Sequence, residues 1–156
     1  MSDIGERDIH VFVDAVRHYF MQITHEKPEI RGAFLAQGTA FPPTFDMTGM
    51  IRISGKFRGC VYFSAPRVML SRLLLSMHES RLSDDQLLDA VGEIANTIAG
   101  NARRHFGEAM GISVPETMNT PPKWLETVVR ARPYVIMIKW KQYDASVIVD
   151  IENLGM

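Results

Sequence analysis

Apolar residues recur at spacings of three and four near the start of the chain, at Ile9, Phe12, Val13, Val16, Phe20 and Ile23. That period is helical, and it predicts an amphipathic helix that begins at Ser2 or Asp3 and stops before Pro28. Residues 28–43 mix Gly32, Gly38, Pro42 and Pro43 with apolar insertions and read as extended chain or loop. The period then changes. Phe45, Met47, Gly49 and Ile51–Ile53, a turn at Ser54 and Gly55, and Phe57–Phe63 predict a β-hairpin. Pro66, following Ser64, suits the first turn of a short Leu-rich helix over Val68–Met77, with Arg67 and Arg72 facing outward.

The clearest helical signal lies further on. Ser83 and Gln86 have the form of a capping box, and Asp84 and Asp85 put negative charge where the helix dipole favours it. A helix of about six turns, Ser83 to Phe106, follows, with Gly107 and Gly111 as candidate terminators. Ile112–Val114 reads as a short strand and Pro115–Pro122 as a loop. Tyr134–Trp140 and Ser146–Ile151 form a second strand pair, joined across Lys141–Asp144.

At 156 residues, 46% hydrophobic and 22% charged, the chain fits a single globular domain over residues 1–156 with a sizeable core. Seventeen basic and eighteen acidic residues leave a net charge of -1, too little to gather nucleic acid or an anionic membrane by its overall field. Arg130, Arg132, Lys139 and Lys141 do surround Tyr134 and Trp140, but strand alternation makes that a solvated sheet face. The lone cysteine, Cys60, sits in an apolar stretch and reads as a buried thiol, excluding an internal disulfide and multi-cysteine metal sites. His10, His18, His25, His78 and His105 are scattered, and the His18 and His25 spacing finds no third ligand. The first residues lack the basic and apolar regions of a signal peptide, and no apolar run approaches the roughly 20 residues of a membrane span. A cytoplasmic protein is expected.

Projected at 100° per residue, the long helix divides in two. Leu87, Leu88, Val91, Ala95, Ile98, Ala102 and Phe106 form the side expected to pack on the sheet. Gln86, Asp89, Glu93, Asn96, Thr97, Gly100 and Arg104 form one polar stripe. Asn is a poor helix former, and Gly100 costs about 1 kcal/mol relative to Ala in an interior turn. Glu93 and Asn96, at i and i+3, can touch one partner, and Gly100 clears space one turn on. Asn101 falls toward the flank as a structural hydrogen-bonder. The E-x-x-N string is weak alone: nine Glu and four Asn give about 0.2 chance matches, and Glu116–Asn119 is another. On spacing alone it reads as solvated helix surface.

In its setting the helix resembles the CheX branch of the CheC/CheX/FliY chemotaxis phosphatases. Gly49–Phe63 (GMIRISGKFRGCVYF) and Leu87–Ala102 (LLDAVGEIANTIAGNA) carry the resemblance. It implies an α/β fold in the broad sense (α+β), an antiparallel sheet packed against long helices, and homodimers formed through the sheets. The family's acidic residue and asparagine fall on Glu93 and Asn96. Where the related CheC pattern has a second site, this chain has Asp14 and Arg17, which implies one site per chain. The implied activity is hydrolysis of the aspartyl phosphate on a CheY-like response-regulator receiver. In that reading Asn96 positions the attacking water and Glu93 docks on the receiver's lysine. No cofactor of the chain's own is implied, the Mg²⁺ being held by the receiver. A non-catalytic receiver-binding or flagellar-switch-like module is the alternative. Nucleic acid and membrane partners are not expected.

Overall fold

The computed structural model describes residues 5–36, 44–119 and 133–155. Its elements run α1 (Glu6–Thr24), β1 (Glu29–Leu35), β2 (Met47–Gly55), β3 (Phe57–Ala65), α2 (Arg67–Ser76), α3 (Asp84–Phe106), β4 (Met110–Ile112), β5 (Glu116–Met118), β6 (Tyr134–Trp140) and β7 (Tyr143–Asn153). All strand pairings are antiparallel, in the order β1-β6-β7-β3-β2-β4, with β5 also on β2. This is the α+β architecture expected from the sequence.

Several boundaries differ from the periodicity reading. Helix α1 begins at Glu6 rather than Ser2 or Asp3: the Gly5 amide donates to the Asp8 carboxylate at 3.1 Å, which satisfies an otherwise unpaired donor at the helix entrance. It ends at His25, which takes the left-handed conformation (φ 60°). Pro66 is the N-cap of α2, one position ahead of the first turn. The uncertain stretch after Pro28 contains β1, an edge strand on β6 with a register shift between Ile30 and Gly32. The last hairpin is longer than predicted, and its turn is confined to Lys141 and Gln142, with Lys141 at φ 56°. The predicted loop at Pro115–Pro122 opens with β5, and the short strand before it spans Met110–Ile112. Gln37–Pro43, Arg130 and Arg132 lie outside the described residues.

One face of the sheet carries the main core. Ile51, Val61, Phe63, Val147, Val149, Ile136 and Trp140 meet Phe12, Val16 and Phe20 of α1, Leu70 and Leu73 of α2, and Val91, Ala95 and Ile98 of α3. The opposite face alternates by row across β2, β3 and β7. Thr48, Ser64 and Ser146 form a fully buried polar row, with Thr48 Oγ1 and Ser64 Oγ 2.9 Å apart and the Phe45 amide donating to Ser64 Oγ at 2.7 Å. Met50, Tyr62 and Ile148 form an apolar row beside it, packed with Cys60. The Cys60 thiol is buried, as expected, and burial raises its pKa. Among the described residues no helix is long and apolar enough to cross a membrane.

Candidate functional site

Helix α3 is seated on the sheet by glycines as much as by side chains. A Cβ at Gly49 on β2 would fall 2.5 Å from the Val91 carbonyl oxygen and 3.1 Å from the Gly92 Cα, so strand and helix backbones approach directly. Ser83 caps the helix through its Oγ, which accepts from the Gln86 amide. Gly107 terminates it at φ 91°. Arg67 of α2 pairs with Asp84 in the first turn, an exposed contact of small energetic weight. The buried side is Leu87, Val91, Gly92, Ile94, Ala95, Ile98, Ala99 and Ala102. Leu88 and Phe106, expected on it, are only partly buried and sit at its margin.

The opposite side is presented. Glu93 is exposed and Asn96 is half-buried on the same ridge. Thr97 is half-buried, its hydroxyl donating back to the Glu93 carbonyl of the same helix at 2.9 Å. Nothing lies within 4 Å of a Cβ built at Gly100, so the ridge is open one turn beyond Asn96.

Helix α1 forms one flank and runs antiparallel to α3. Phe12 meets Phe106, with ring centroids 6.1 Å apart, while Tyr19 lies within electrostatic reach of Glu93. Between the helices a groove of about 440 Å³ is lined by Val11, Asp14, Ala15 and His18 on one wall and Asn101, Arg104 and His105 on the other. Asn101 therefore faces the groove. Asp14 and Arg17, where a second E-x-x-N would stand, are tied to each other as an exposed ion pair at 3.8 Å. His18 and His105 line the groove together, yet no group of three or more His, Cys, Asp or Glu among the described residues is placed to hold a metal.

Tyr19 escaped the sequence reading, although it continues the apolar stripe three residues after Val16. Burial, and secondarily the charge of Glu93, push its pKa up to about 12. A raised pKa in the folded state means that the folded protein holds the proton more tightly than the unfolded chain. Tyr19 therefore contributes stability that is present below about pH 10 and lost as pH rises toward about 12. Tyr19→Phe is expected to flatten part of that decline, measured by denaturant unfolding at a series of alkaline pH values. Tyr62 is shifted in the same direction by burial and its Cys60 contact, so the decline persists in part.

Chemically, the ridge offers a carboxylate and, one turn on, an uncharged amide able both to accept from water and to donate to an anionic oxygen. The chain belongs to the family described as chemotaxis phosphatase CheX, whose profile matches residues 47–139. The fold is shared with a chemotaxis protein from Desulfovibrio vulgaris Hildenborough (18% identity, 97% of this chain and 100% of that one, TM-score 0.77). It is shared also with CheX from Vibrio vulnificus (15%, 94% and 99%, TM-score 0.77). A third structure, the CheX–CheY–BeF₃–Mg²⁺ complex from Borrelia burgdorferi, matches at 14% identity over 92% of this chain and 97% of that one, with TM-score 0.70. No curated protein matches the chain significantly.

Proposed function

We propose that this chain is a phosphatase that hydrolyses the aspartyl phosphate of a CheY-like response-regulator receiver. One observation carries the reading: the exposed Glu93 and half-buried Asn96 stand on one open ridge of α3, in a member of the chemotaxis phosphatase CheX family. The Borrelia CheX complex with CheY supports a receiver as partner.

An aspartyl phosphate has a good leaving group, and the receiver's own acidic residues hold the Mg²⁺ that neutralises its oxygens. What remains is placing a water in line with the scissile P–O bond. The Asn96 amide oxygen accepts from that water while its nitrogen faces the phosphoryl oxygens. Attack forms the new P–O bond, the old one breaks, and the receiver carboxylate leaves with inorganic phosphate released. Being uncharged, Asn96 does not repel the anion. Glu93 pairs with the receiver's active-site lysine and orients the complex, a contact whose strength depends on desolvation at the interface. The chain supplies no cofactor. We further take it to act as one domain, in the cytoplasm, as a homodimer.

Glu93→Ala is expected to raise the half-saturating concentration of phosphorylated receiver about tenfold, the loss of about 1.4 kcal/mol of docking energy, with the saturated rate nearly unchanged. Phosphate-release assays over a range of receiver concentrations measure both quantities. A fall in the saturated rate alone would make Glu93 a general base instead.

A further inference from the structure

The chain through β4, β5 and their connection is anchored on α3 on both sides of Asn96. Gly92, Asn96, Ala99 and Arg103 recur at helical spacing and share one flank of that helix. At one end of this row, a Cβ on Gly92 would come within 2.8 Å of Thr117 Cγ2 and 3.2 Å of Pro115 Cβ. At the other end, Arg103 Nε donates to the Met110 carbonyl at 2.7 Å. The chain thus runs from 110 to 117 as the helix runs back from 103 to 92. Residues 112–114 therefore span the stretch between these two anchors, on the side of α3 that carries Asn96 and Ala99.

Val114 is the most exposed large hydrophobic side chain among the described residues, at 81%. It is also firmly held. The Ser113 amide donates to the Arg52 carbonyl at 3.0 Å and the Arg52 amide to Ser113 Oγ at 2.8 Å, filling the gap in the β2 edge between β4 and β5. Ser113 Oγ in turn donates to the Val114 carbonyl at 2.9 Å, and Pro115 follows. An apolar side chain displayed on such a tied segment is preorganised for contact, because little conformational freedom is lost when it is covered.

We propose that Val114 is a specificity-determining contact for the receiver, packing against an apolar side chain next to the phosphorylated aspartate. The inference rests on the phosphatase reading of Asn96. Any partner whose phosphoryl group reaches Asn96 must cover the surface around it. An ordinary interface of about 800 Å² per partner extends roughly 16 Å from its centre, which includes the neighbouring β4–β5 connection. The fully buried core of an interface is apolar and depleted of charged residues, so a charge placed there is costly to desolvate. Glu93 then selects for the cation common to receivers, whereas Val114 selects among them by the apolar neighbour they present.

Val114→Asp and Val114→Leu test this in the full chain, with phosphate release followed across concentrations of several phosphorylated receivers. Val114→Asp is expected to raise the half-saturating concentration about tenfold or more for the preferred receiver and to narrow its advantage over the others. The saturated rate should stay within about twofold, and Val114→Leu should retain near-normal docking. Thermal unfolding checks that both variants fold. Unchanged half-saturation in Val114→Asp, with Asn96→Ala still slowing release, overturns this inference and leaves the phosphatase reading intact. A reduced saturated rate with unchanged half-saturation also overturns it. Absence of release from every receiver by the unaltered chain removes the phosphatase reading, and this inference with it.

Discussion

Asn96→Ala is expected to lower catalysed dephosphorylation of the receiver by about 10²-fold, the scale observed when one group that orients a transition state is removed. Docking should be nearly unchanged, because Glu93 and the surrounding ridge remain. The fold should survive as well. Asn96 is half-buried on the presented side of α3, outside the packed row of Val91, Ala95 and Ile98, and alanine is the better helix former. Phosphate release under single-turnover conditions, together with binding of the phosphorylated receiver, separates the two effects. An unchanged release rate would remove Asn96 from the chemistry.

The second large effect is structural and reaches the site through the sheet. Gly49→Ala places a methyl group 2.5 Å from the Val91 carbonyl oxygen, and a helix backbone atom cannot rotate away as a side chain could. Overpacking of this kind costs about 1–3 kcal/mol, more than the 0.5–1 kcal/mol that replacing a strand glycine by alanine ordinarily contributes. Stability should therefore fall, and α3 must lift at the turn immediately before Glu93, so activity should fall with it. Gly100→Ala supplies the contrast. Its Cβ meets nothing within 4 Å, so the substitution should stabilise the helix by about 0.5–1 kcal/mol while weakening receiver docking if the partner uses that clearance. Denaturant unfolding of the two variants, with receiver binding measured on each, checks the opposed signs.

The long elements were legible because each carries a sustained period. Helix α3 has apolar residues at helical spacing from Leu87 to Ala102 and a cap at Ser83, and the β2–β3 hairpin joins two apolar stretches across a turn at Ser54 and Gly55. Strands β4 and β5 carry no such signal. Each has three residues, and each exists by pairing with the open edge of β2, a tertiary circumstance that no local pattern records. Alternation also understates burial on the far face of the sheet. Thr48, Ser64 and Ser146 look like solvent positions, yet they are fully buried, with Thr48 and Ser64 hydrogen-bonded across the strands.

The site was readable to the same degree. Glu93 and Asn96 share a face by spacing alone, and Gly100 marked the clearance. Their surroundings were not readable: Tyr19 comes within electrostatic reach of Glu93 from a helix more than seventy residues earlier, and the segment carrying Val114 reaches the flank of α3 through a strand edge. A residue's neighbours across a helix packing depend on crossing geometry, which periodicity leaves open.

Phosphate release from a panel of phosphorylated receivers, each mixed with a substoichiometric amount of the chain, tests the central claim most directly. For at least one receiver, several phosphates per chain should be released well above the receiver's own decay, with Asn96→Ala abolishing most of the increment. Tight binding of phosphorylated receiver with release no faster than that intrinsic decay would contradict a phosphatase and leave a receiver-binding module.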